Sequence, residues 1–144
     1  MGKREDNAIL TKSKDFAIRI VNLYKYLSSE KREYVLSKQI LRSGTSIGAN
    51  VHEAEESFSD KDFQYKMYIA LKEARETEYW LELLFRTEYI GQKQYNSLNT
   101  DCIEILKILV SIAKTLNGKK SGKNVMNNTD AYPDDNADDP NSKF

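Results

Sequence analysis

The chain has 144 residues, which fits one domain of about 115 structured residues and a polar tail, and a domain of that size buries a core without disulfide or metal. Its 22 Lys and Arg balance 22 Asp and Glu, so no overall field draws it to polyanions, and any nucleic-acid contact depends on where the charges sit. Cys102 is the single cysteine, which excludes an internal disulfide and a cysteine-cluster zinc site, and the absence of an apolar leader or of any run near the roughly 20 residues of a bilayer span points to a cytoplasmic chain with no membrane contact.

The two prolines, Pro133 and Pro140, lie near the C-terminus, so long helices meet no proline breaker before them. Ser13 is the expected N-cap of a first helix over about 13–28, with Phe16, Ile20, Leu23, Tyr24 and Leu27 on one face. After the polar link SSEKRE, Ser37 is the expected cap of a second helix over about 38–57, with Leu36 and Leu41 at hydrophobic-staple spacing. Its inward stripe is Ile40, Ser43 and Gly44, Ile47, Val51 and Ala54, and the small residues at its centre let another helix approach closely.

Ser59, followed by Asp62 and flanked by Phe58 and Phe63, is the expected start of a third helix that runs to Ile90, with Gly91 ending it. A fourth helix is expected over about 92–117, with Tyr95, Leu98, Cys102, Ile105, Leu106, Leu109, Ile112, Ala113 and Leu116 inward and Gly118 as its C-cap. Four amphipathic helices on mostly short links predict an all-α, antiparallel up-down-up-down four-helix bundle over residues 1–118. From Lys119 to Phe144 the composition turns polar and Asn/Asp-rich, which predicts a disordered C-terminal tail.

Catalytic constellations are absent from the pattern. A di-iron bundle needs paired Glu-x-x-His motifs, yet His52 is the single histidine and Ala49 stands three residues before it. His52 also lies off the core stripe, as an exposed helical histidine does. Cys102 projects with Leu98, Leu106 and Leu109, which makes it a small core hydrophobe and not a nucleophile. The SGTSIG segment matches no phosphate-binding loop and reads as helix packing, and the acids Glu53, Glu55 and Glu56 read as a solvated face. No catalytic residue, metal ligand or cofactor is expected.

The third helix has a second apolar side. Tyr65, Ile69, Tyr79, Trp80 and Leu83, together with Tyr68, lie away from its core face among Lys72, Arg75, Glu76 and Arg86. One bundle core covers one face, so these residues are the candidate oligomer interface, the alternative being that they lean over neighbouring helices. The bundle topology also gathers Lys25, Lys31, Arg32, Lys38, Arg42, Arg86 and Lys93 at one end, against Glu30, Glu33, Glu82 and Glu88, an excess of three positive charges. These seven are the candidate nucleic-acid-binding residues, able to hold a phosphate backbone without reading its sequence.

The stretch from Leu36 to Leu84, and above all Asn50 and Glu53 in an Asn-x-x-Glu pattern with Phe63 and the Ala-Leu-Lys-Glu-Ala run at 70–74, resembles the 23S rRNA-intervening-sequence proteins. Accessory variability determinant proteins of diversity-generating retroelements are related to them. Ala54 stands where many members have glycine. The resemblance implies a four-helix bundle, assembly as a homopentamer, no known enzymatic activity, and a role in binding RNA or DNA or a reverse transcriptase. Asn50 and Glu53 lie one turn apart on a helix flank, which reads as a structural clip to the third helix or to the next subunit. The expected function is therefore a non-enzymatic oligomeric binding module associated with nucleic acid, and the alternative is a structural or protein-binding scaffold without that affinity.

Overall fold

The computed structural model describes residues 3–121, and their side chains from 8 to 118. Helices α1 (Lys3–Ser29), α2 (Leu36–Glu55), α3 (Asp60–Arg86) and α4 (Gln92–Ser121) follow one another. Each packs on the next and α4 returns to α1, so the four form an antiparallel up-down-up-down bundle, with no close backbone approach across its diagonals among the described residues. Ile9, Phe16, Ile20 and Leu27 of α1, Ile40, Ile47 and Val51 of α2, Leu81 and Leu84 of α3, and Ile105 and Leu109 of α4 are essentially inaccessible and form one core. The polar tail expected from Lys119 onward lies, beyond Ser121, outside the described residues.

Several helix ends differ from expectation for local reasons. Helix α1 begins at Lys3, because Ser13 is not a cap: it is fully buried inside the helix and its hydroxyl donates to the Leu10 carbonyl at 3.3 Å. At α2 the cap is Glu33 rather than Ser37. Its carboxylate accepts from the backbone N–H of Val35 at 2.9 Å, Leu36 at 2.8 Å and Ser37 at 2.7 Å, while the Ser37 hydroxyl donates to the Glu33 carbonyl at 2.8 Å. Ser59 does cap α3, accepting from the Asp62 N–H at 3.1 Å. Its expected staple does not form, since Phe63 is buried and Phe58 stands fully exposed.

Helix α3 stops at Arg86, four residues before Ile90. Glu88 takes the left-handed conformation (φ 68°) that ends it, with the Glu88 N–H on Phe85 O at 3.0 Å and the Tyr89 N–H on Leu84 O at 2.9 Å. Gly91 instead begins α4: its N–H donates to Gln94 Oε1 at 3.2 Å and its carbonyl accepts from Tyr95 N–H at 2.9 Å. Gly118 lies within α4, which continues to Ser121.

Helix α2 meets its two neighbours through small residues. On the α1 side, a Cβ added to Gly44 would come within 2.8 Å of two Ile20 carbons, and one on Gly48 within 3.2 Å of the Ser13 carbonyl oxygen. On the α3 side, the buried Ser43 and Thr77 hydroxyls are hydrogen-bonded 2.9 Å apart. The α3/α4 seam is tied by stacked rings of Phe85 and Tyr95, centroids 4.6 Å apart, and by the Cys102 thiol at 3.5 Å from the Ala74 carbonyl.

Candidate nucleic-acid interface and association face

Lys25, Lys31, Arg32, Lys38 and Lys93 are exposed and form no ion pair among the described residues. They sit at the end of the bundle where α1 and α3 finish and α2 and α4 begin. Arg32 projects from a left-handed backbone position, φ 50°, in the link between α1 and α2. Glu33, on the same link, is buried, and the amides of α2 take up its charge. Burial pushes its carboxyl up, but the N–H groups of Leu36, Ser37 and Val35 outweigh that and hold it below the usual glutamate value.

Two of the seven expected cations are engaged elsewhere. Arg42 reaches across to α3, where its guanidinium meets Glu73 Oε2 at 3.2 Å and Glu76 Oε1. The hydrogen bond from Arg42 is the main reason the Glu76 carboxyl lies lowered, with help from the Trp80 indole N–H at 3.2 Å. Arg86 pairs with Glu82 at 3.1 Å along α3. The positive surface is thus narrower than the count of residues at that end implies.

On the outward side of α3, Tyr65 is 61% exposed, Tyr79 58% and Tyr68 42%. Ile69, Trp80 and Leu83 are half-buried, and Trp80 packs on the core while its indole reaches Glu76. The tyrosines therefore form the open part of this face, and Tyr79 meets Trp80 edge-on at 5.1 Å.

Glu53 and Asn50 have different partners. Glu53 binds Lys66 of α3 at 2.7 Å, whereas the Asn50 amide donates to Ser46 O of its own helix at 2.8 Å. His52 is half-buried, with Nε2 enclosed and unpartnered among the described residues. Cys102 is fully buried and burial pushes its thiol up to about 12, far from a reactive thiolate.

Three features of the surface escape sequence reasoning. Tyr34 and Val35, 54% and 72% exposed, stand beside Lys31, Arg32 and Lys38, and the signal for them is an aromatic placed in an otherwise polar link. Arg19 ties α1 to α4 through Asp101 at 2.6 Å and Ser97 Oγ at 2.8 Å, a pairing that no local pattern announces. Ile103 of α4 is 36% exposed beside Leu106 and Val110, in a groove of about 500 Å³.

Residues 5–111 match the family described as 23S rRNA-intervening sequence protein. A crystal structure of a protein with unknown function from the S23 ribosomal protein family of Bacteroides thetaiotaomicron VPI-5482 is 64% identical and superposes with a TM-score of 0.75, covering 76% of this chain and 98% of that one. No curated protein matches the chain. The family match starts inside α1 and reaches well into α4, so it takes in α2 and α3 whole and most of α1 and α4, and this chain belongs to the 23S rRNA-intervening sequence protein family.

Proposed function

We propose that the chain is a non-enzymatic module that associates with copies of itself through the outward face of α3 and holds nucleic-acid phosphates at the Lys31 end of the bundle. One observation carries the reading: five exposed cations at that end, Lys25, Lys31, Arg32, Lys38 and Lys93, have no carboxylate partner among the described residues. Of the four acids at that end, Glu33 is turned onto backbone amides and Glu82 onto Arg86, which leaves Glu30 and Glu88 against the five cations and the end net positive. A symmetric assembly, five copies as the resemblance implies, repeats the patch and raises its field several-fold. The family itself is described by an rRNA intervening sequence and not by a reaction.

Fluorescence anisotropy with labelled nucleic acid tests the proposal. Counterion release makes the affinity fall steeply between low and physiological salt. Reversing Lys31, Arg32 and Lys38 to Glu removes binding and leaves helicity intact. Wild-type protein that binds neither RNA nor DNA at low salt would instead be a protein-binding scaffold.

A further inference from the structure

The α1/α4 seam is the least extensively packed of the four, and it holds a cleft of about 300 Å³ lined by Arg19, Asn22, Leu23, Tyr26, Gln94 and Leu98. Its floor is apolar, made by the buried Leu23 and Leu98, and the half-buried Tyr26 supplies an aromatic wall. Arg19 closes one side as a fixed group, held by Asp101 at 2.6 Å and by Ser97 Oγ at 2.8 Å. The rim carries two exposed amides, Asn22 and Gln94. Gln94 uses its oxygen on the Gly91 N–H at 3.2 Å, which leaves its NH2 group pointing to no described partner. Lys25 follows Asn22 by one turn of α1, and Lys93 precedes Gln94 in the first turn of α4.

We propose that this cleft takes one unstacked nucleobase from a single-stranded nucleic acid, with Lys25 and Lys93 holding phosphates on either side of it. The inference rests on the nucleic-acid reading above and sharpens it. An aromatic wall over an apolar floor suits the face of a base, and side-chain amides supply both donors and acceptors for its edge. A base already paired and stacked in a duplex cannot enter. The cleft therefore adds a preference for single strands that a phosphate patch alone lacks.

Anisotropy with the full chain, using labelled single-stranded RNA, single-stranded DNA and a duplex of one sequence, separates the two contributions. The expected result is tighter binding of at least one single strand than of the duplex. Tyr26→Ala lowers that single-strand affinity about tenfold and leaves duplex affinity unchanged, and Tyr26→Phe restores it. If Tyr26→Ala fails to fold, Asn22→Ala, at an exposed position, carries the same test with a smaller loss in the same direction. Equal affinity for strands and duplex, unaltered by these variants while Lys25→Glu with Lys93→Glu weakens both, overturns the cleft and leaves the phosphate patch standing. No binding of any nucleic acid at low salt overturns both.

Discussion

Glu33 does at the start of α2 what a capping serine normally does, but with a full negative charge. Three backbone N–H groups converge on its carboxylate, and a fourth contact joins its carbonyl to the Ser37 hydroxyl. Glu33→Gln keeps the shape and removes the charge, so it should cost about 1–3 kcal/mol, read as a lower melting temperature at neutral pH. The folded carboxyl lies below its ordinary value of 4.5. Its stabilisation is thus complete above that value and is lost as pH falls through the folded pKa. Melting curves of the two proteins should converge below about pH 4.5 and stay apart from there to neutrality. A gap that is constant with pH would mean that the charge contributes nothing.

At the scale of the helices, Gly44 and Gly118 make opposite demands. Gly44 sits where α2 touches α1, with Ile20 carbons 2.8 Å from the point a Cβ would occupy and no room to yield inside a packed core. Gly44→Ala should destabilise by roughly 1–3 kcal/mol despite the better helix propensity of alanine. Gly118 is exposed within α4 and a Cβ there meets nothing within 4 Å, so Gly118→Ala should stabilise by about 0.5–1 kcal/mol. Denaturant titration measures both. The stripe of Ile40, Ser43, Gly44, Ile47, Val51 and Ala54 was readable because periodicity alone assigns a buried face, and the structure buries every one of them. Helix ends were less readable because a serine near a helix start is ambiguous. Ser59 caps, while Ser13 and Ser37 are fully buried and their hydroxyls donate to the carbonyls of Leu10 and Glu33. Ion pairs across helices were not readable at all: Arg42 counts as a free cation until α3 presents Glu73 and Glu76 to it.

The whole molecule leaves one long face of α3 partly uncovered, and that sets the expected solution behaviour. Light scattering at micromolar concentration should give a mass several times the 16.6 kDa of one chain. Tyr65→Glu with Tyr79→Glu should shift it toward one chain and leave the helical signal unchanged, because both side chains are more than half exposed. Trp80 is the poorer probe, since it also packs on the core and bonds Glu76, so its removal disturbs folding and association together. A monomeric wild type would remove the proposed association face and the multiplication of charge that depends on it. Cys102 offers a separate view of the same molecule. Its thiol has no accessible surface and its pKa is pushed up to about 12, so alkylating reagents in neutral buffer reach it only when the core opens. The rate at which this lone thiol is alkylated is therefore a clock for the opening of the bundle, and a cysteine introduced on the surface can be labelled in seconds while the native one waits.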